Sequence, residues 1–237
     1  MRTHFLFRAG ILIVLAVAAT GTARAQSAQP ESVDAKVMSS AAFLDAHPDL
    51  NYRMLGLKAW REQKYDKAMR YFRRAARYAD KPSQAMVAEL YWRGQGVAVD
   101  RPQAYAWMDL AAERQFKVML AHREQYWESM SATEREQALI VGKAIYAEYG
   151  DTVAKPRLEH QLRIARTSSV GSRTGFVGNS RVIIPGQFGD ETVLDGSQFY
   201  QDKFWKPEAY WAWQAKDWKE FPKGRVEVAP LRDAVLK

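Results

Sequence analysis

The residues able to do chemistry in this 237-residue chain are few and scattered. Histidines stand at His4, His47, His122 and His160, and none is spaced from another as a metal-binding H-x-x-x-H pair would be. With no cysteine there is no thiolate to complete a zinc site and no disulfide. His47 precedes a proline and is expected to serve a turn. His122 falls on an apolar helical stripe and reads as a packed core histidine, while His160, beside Glu159, reads as solvated. Ser180, in Gly178-Asn179-Ser180-Arg181-Val182, lacks the second glycine of a nucleophile elbow, and nothing ties an aspartate or histidine to it. Gly171 to Gly178 is glycine-rich but has neither the G-x-G-x-x-G order of a phosphate loop nor a clear following helix, so turn glycines account for it better. No catalytic centre, metal site or cofactor is expected.

Two constellations could instead bind. Lys67, Arg70, Arg74 and Arg77 recur at i, i+3, i+7 and i+10, hence on one helix face, with Arg73 beside them. They would suit acidic partners or anionic head groups, or they are simply the solvated outer face of a helix. From Phe199 to Phe221, nine of 23 residues are aromatic. Trp205, Trp211 and Trp213 could stack on glycan rings. Equally, side chains that each bury roughly 150–250 Å² could anchor a small irregular segment onto the rest of the chain. Both alternatives stand at the level of sequence.

The bulk of the chain bounds what these residues can be doing. Hydrophobic content of 47% with 26% charged residues is that of a globular protein. Arg2 and Arg8, the apolar run Ile11 to Ala19 and Ala23-Arg24-Ala25 make residues 1–25 a secretory signal peptide with cleavage expected after Ala25; the alternative is a retained N-terminal anchor. Beyond it no apolar run reaches the roughly 20 residues of a spanning helix. Without Arg2, Arg8 and Arg24 the net charge falls from +8 to 32 minus 27, or +5. That excess favours anionic envelope components or acidic proteins. Export to the periplasm, the expected location, argues against nucleic acid as a partner.

Stepping outward to the elements, Gln26 to Met38 is polar and reads as a spacer, and Ala41 to Ala46 as a short helical turn ending at His47-Pro48. Asp49 suits the cap of a helix to about Gln63, and a second helix covers Tyr65 to Ala79. The pattern then repeats. Ala68, Tyr71, Phe72, Ala75 and Ala76 recur 36 residues on as Ala104, Trp107, Met108, Ala111 and Ala112; Leu55, Gly56, Ala59 and Trp60 recur 32 residues on as Val87, Ala88, Tyr91 and Trp92. A period in the thirties means stacked helical hairpins. The alanines let helix backbones approach, and Tyr71 and Trp107 fill the space between layers. Gly94 suits a left-handed helix end, and Asp100 with Gln103 an N-cap around Pro102.

These residues resemble the Sel-one-like repeat, a branch of the tetratricopeptide superfamily. Its succession of leucine–glycine, tyrosine, G-x-G-V, aspartate, alanine, tryptophan and paired alanines is matched at Val87-Ala88, Tyr91, Gly94 to Val97, Asp100, Ala104, Trp107 and Ala111-Ala112. The second unit departs from it at Val87-Ala88; the first keeps Leu55-Gly56 but lacks the glycine loop. The resemblance covers residues 49–116. It implies an α-solenoid serving as a protein–protein adaptor, often in bacterial envelopes, and no chemistry. It also implies contact through a concave face lined by the first helix of each hairpin, which places Tyr52, Lys58, Arg61, Met86, Glu89 and Arg93 there.

The expected fold is therefore mostly α: a solenoid of hairpins over 49–149, divided as 49–80, 81–116 and a degenerate third at 117–149 with a capping box at Ser131 to Glu134. A short helix after Pro156 follows within 150–237. Next come glycine-rich loops with β-prone islands at Phe176-Val177 and Val182 to Ile184. A helix near Pro207 and a strand at Arg225 to Val228 complete the aromatic-rich C-terminal part, which could form a domain or a cap filling the groove.

Overall fold

Prolines and capping side chains set where the helices begin. In the computed structural model, which describes residues 32–170, 181–185 and 191–219, α1 (Val33–Ser39) and α2 (Ala41–Ala46) lead into α3 (Pro48–Arg61). Pro48 occupies the first turn of α3, where its missing N–H costs nothing. Helix α4 (Tyr65–Ala76) returns along α3. Asp80 caps α5 (Lys81–Arg93) by accepting from the Ser83 N–H at 3.0 Å, and Asp100 caps α6 (Arg101–Ala111) by accepting from the Gln103 N–H at 2.9 Å. Gly94 ends α5 at φ +66°, in the left-handed region that suits glycine. In the first hairpin, which has no glycine there, Gln63 takes that conformation and the Lys64 N–H bonds to the Ala59 carbonyl at 2.9 Å.

Alternating first and second helices then stack: α3 with α4, α4 with α5, α5 with α6. This is an α-solenoid. Ala68 and Ala75 on α4 and Ala104 and Ala111 on α6 have no exposure, so backbones meet with nothing larger than a methyl between them. At Gly56 even a methyl is too much, because a Cβ there would lie 2.5 Å from the Phe72 ring. Trp107 is buried against Tyr149, whereas its counterpart Tyr71 stays half-exposed against Tyr52. The difference follows from position in the stack, since a further helix covers the second unit on that side.

That helix is α8 (Ala132–Tyr149), opened by the Ser131–Glu134 capping box and preceded by α7 (Lys117–Ser129). Both lie chiefly against α6. Helix α9 (Asp151–Val170) begins directly after Gly150 and runs through Pro156; it does not wait for the proline as the sequence suggests. Pro156 and Thr152 are both exposed, so the carbonyl that the proline leaves unbonded faces water. Strands β1 (Arg181–Pro185) and β2 (Glu191–Asp195) form an antiparallel hairpin pairing Ile183 with Val193, followed by α10 (Gly196–Phe199), α11 (Asp202–Trp205) and α12 (Pro207–Lys219). Thus Val182 to Ile184 pairs with residues C-terminal to it. Phe176-Val177, the Gly171 to Gly178 stretch, Ser180, the strand expected at Arg225 to Val228 and residues 1–25 lie outside the described residues.

The N-terminal side departs from the sequence reading in two places. Residues 33–38 are not spacer but belong to α1, while the helical turn at 41–46 is α2. Val37 and Phe43 have no exposure and share a core with Leu194, Phe199, Phe204 and Trp205, so the segments at opposite ends of the described chain build one apolar cluster. Asp49 is not a cap either: it is fully buried and held by residues of α12. His47 does more than serve a turn. Its ring stacks on Phe43 at 3.7 Å, with Nδ1 facing the Phe43 carbonyl at 2.7 Å and Nε2 the Phe204 carbonyl at 2.8 Å. Burial holds its pKa below the ordinary value against the opposing pull of Asp49 and the two carbonyls.

An ion network ties the solenoid to α9. Lys81, 1% exposed, lies 2.6 Å from Glu113 and 3.0 Å from Asp151; Arg114 donates to both Asp151 oxygens at 2.7 and 3.0 Å. Burial alone would raise the Asp151 pKa, but Arg114, Lys81 and Lys155 outweigh it and hold the carboxyl well below its usual range.

Two consequences are measurable. Gly56→Ala forces Phe72 from its place and should cost about 1–3 kcal/mol in chemical denaturation. Asp151 has a depressed folded pKa, so its stabilisation is present above its ordinary pKa of about 4 and is lost as pH falls below it. Asp151→Asn should be less stable at pH 7 by about 3 kcal/mol, because Lys81 and Arg114 lose their shared partner. It should also lose less further stability than the parent between pH 5 and pH 2. Parallel acid limbs in urea titrations would contradict this.

Candidate binding groove

The first helices of the stack face a common groove of about 570 Å³. Helix α3 contributes Arg53, Leu57 and Trp60, at i, i+4 and i+7; α5 contributes Pro82, Ala85, Met86, Glu89 and Arg93, again one helical stripe. Val118, Met119 and His122 of α7 form the far wall, Met108 of α6 the floor, and Trp218 of α12 closes a side, its ring 6.0 Å from Phe116. Thioethers, branched aliphatics and two indoles make the lining apolar, and flexible methionines let such a surface adapt to differently shaped occupants.

The polar groups of the lining are held in place. Glu89 is paired with Arg93 and accepts the Tyr126 hydroxyl at 2.5 Å. Burial and the Glu89 carboxylate together push the Tyr126 pKa far up, so the phenol stays protonated. Tyr126 in turn stacks on Trp92 at 4.0 Å, with Arg101 over the other ring at 5.4 Å. Arg53 lies 3.5 Å from Asp80. Burial works against its charge, but Asp80 and Asp49 outweigh that and raise its pKa. The Trp60 indole N–H is buried with no acceptor among the described residues.

Of the residues expected on the concave face, Met86, Glu89 and Arg93 line the groove. Tyr52, Lys58 and Arg61 do not. Tyr52 stacks on Tyr71 between α3 and α4, Lys58 and Arg61 are exposed, and their neighbours Arg53, Leu57 and Trp60 face the groove instead. Tyr52 stands one residue before Arg53, and Lys58 and Arg61 one residue after Leu57 and Trp60; each step along a helix turns the face by about 100°, enough to take these side chains off the groove stripe. Nothing local marked Trp218. His122 is exposed at the groove wall rather than packed in the core, and His160 is exposed.

The tail tryptophans, read from sequence either as glycan-stacking rings or as internal anchors, make internal contacts. Trp205 is 2% exposed and donates to the Phe199 carbonyl at 2.7 Å; Trp213 is half-buried against Phe204 and Tyr210. Trp211 carries Arg114 and Lys155 over its ring at 4.8 and 5.3 Å and donates to Glu159 at 2.9 Å. The structure thus favours anchoring over stacking for these three rings. Among the described residues no group of histidine or acidic side chains is arranged to hold a metal ion, and no helix is long and apolar enough to cross a membrane.

The Sel1 repeat family matches residues 53–77 and 81–116. These two segments match the Sel1 repeat. They supply α3 to α6 and with them most of the groove. Among solved structures, this chain is similar to a protective antigen present in uropathogenic Escherichia coli strains and displaying an SLR fold. Identity is 24% over 47% of this chain and 25% of that one, with a TM-score of 0.40. The chain thus spans about a quarter of that protein's length. No curated protein matches the sequence.

Outside the Sel1 repeats, α12 completes the groove, and a buried contact holds α12 in place. The Tyr210 hydroxyl donates to Asp49 at 2.5 Å and the Gln214 amide to the same oxygen at 3.2 Å. Burial, above all, raises the Asp49 pKa. Tyr210→Phe removes the shorter of the two donors, leaving Gln214 alone on that oxygen, and should lower stability by about 1–3 kcal/mol, the range for losing a hydrogen bond to a buried acid. Denaturant unfolding of the two proteins reads it directly; equal midpoints would show that the contact is energetically idle.

Proposed function

We propose that the protein is a non-enzymatic adaptor of the bacterial envelope that holds a segment of a partner protein in the groove between its first helices. The observation that carries this reading is the groove itself: a continuous apolar lining from α3, α5 and α7, edged by Arg53, Glu89, Arg93 and His122. An apolar centre with a polar rim is the anatomy of a protein–protein contact, and an amphipathic segment laid in a groove is a common way to fill one. Sel1 repeats, which serve as protein-interaction modules, support it further. A periplasmic location is supported by the signal-like residues 1–25, with Arg2 and Arg8, the run Ile11 to Ala19 and Ala23-Arg24-Ala25. Glycan stacking receives less support, since Trp205, Trp211 and Trp213 are committed to internal contacts.

Affinity capture from envelope extracts tests the reading. The parent protein should retain a reproducible set of partners. Met86→Glu and Met119→Glu, each placing a charge in the apolar lining, should lose that set, at a cost of 2 kcal/mol or more (about thirtyfold) for a central anchor. Circular dichroism checks that the variants keep their helices. Failure of the folded parent to enrich any protein, or partners retained equally by both variants, would overturn the assignment. Cell fractionation with mass measurement of the isolated chain should find it in the periplasm beginning at Gln26.

A further inference from the structure

The charge of this chain is concentrated in one place. Between Lys58 and Arg77 there are eight Lys and Arg residues against two carboxylates, Glu62 and Asp66, a net +6. Residues 26–237 as a whole carry 32 Lys and Arg against 27 Asp and Glu, so everything outside this stretch is close to neutral. All eight cations are exposed. They lie at the C-terminal end of α3 and along the outer face of α4, away from the stripe that lines the groove.

Internal pairing does not neutralise them. Glu62 takes Lys64 and Asp66 takes Arg70, while Arg77 reaches Glu148 on α8. That leaves Lys58, Arg61, Lys67, Arg73 and Arg74, for which no carboxylate stands within ion-pair distance among the described residues; the last three each sit over an aromatic ring. Lys67 lies 5.9 Å from the Tyr71 ring, Arg74 5.6 Å from Tyr52, and Arg73 5.9 Å from Trp107. A ring face orients a cation without cancelling its charge. Tyr52 and Tyr71 are half-exposed and stacked with centroids 6.4 Å apart, so two amphipathic phenols lie between the ammonium and the guanidinium.

We infer that the outer face of α4, with the end of α3, docks onto a membrane surface rich in anionic phospholipid. The 12 residues of α4 span about 18 Å, and cations run its full length. Clusters of four to eight Lys and Arg on one helix surface are what a negative lipid surface attracts, and tyrosines settle at head-group depth. A docked α4 leaves the groove open, because the two surfaces use different helix faces. The inference therefore stands independently of what the groove holds.

The test is co-sedimentation of the full chain with vesicles of phosphatidylcholine containing 30% phosphatidylglycerol, against phosphatidylcholine alone. The expected result is binding to the anionic vesicles that 1 M salt, with its Debye length of about 3 Å, releases. Lys67→Gln with Arg74→Gln should weaken it roughly 25-fold, since each cation near such a surface is worth about fivefold in affinity. Any contribution from residues 1–31 is common to parent and variant. Lys117→Gln with Lys143→Gln removes two exposed cations elsewhere and should leave binding within about twofold. Equal binding to both vesicle types, an unaffected stripe variant, or equal losses in the two double variants would each overturn the inference, the last by showing that net charge alone is read.

Discussion

A carboxylate with no access to water, at the first turn of the first repeat helix, is the constraint to which the molecule is built. Asp49 is surrounded by α3 on one side and α12 on the other, and its solvation comes from the Tyr210 hydroxyl and the Gln214 amide. Taking α12 away would remove both donors from this buried oxygen, a cost of up to several kcal/mol to α3. The same helix places Trp218 at the groove and Trp211 beneath Arg114 and Lys155. One contact thus determines where the tail lies, and the tail determines the shape of the groove.

Around that contact the solenoid supplies rigidity and the tail supplies closure. Hairpins of small residues stack closely but leave an open surface at each end of the array. Here the N-terminal side is covered by α1 and α2, the β-hairpin and α10–α11, which share one apolar core, and Lys81 with Glu113, Asp151 and Arg114 fixes α9 across the turns between repeats. Both devices are assembled from distant parts of the sequence.

That separation explains what could be read beforehand. The repeats were legible because their signals are local: alanines and rings at fixed spacing, Gly94 at a helix end, Asp100 and Ser131 as caps. The concave face was half legible. Met86, Glu89 and Arg93 of the second unit line the groove, while in the first unit the neighbours of Tyr52, Lys58 and Arg61 do so instead, since α3 shows no sharp division between polar and apolar faces. The pairing of His47 with Phe204 and of Asp49 with Tyr210 joins residues more than 150 apart. No periodicity reports a contact at that distance. An aspartate after a proline looks like a cap, and only the tail reveals it as an acceptor. The tail aromatics were legible as a cluster, and their internal use follows from the ring-to-ring contacts that sequence does not carry.

Because Trp218 belongs to the last described helix, one side of the groove is closed only after α12 has been made. A product ending before Pro207 would present Asp49 without its donors and Leu158 and Leu162 without Tyr210. It would lack at once a wall of the groove and the groups that satisfy a buried acid, so the open side of the solenoid and its stability are set by the same late helix.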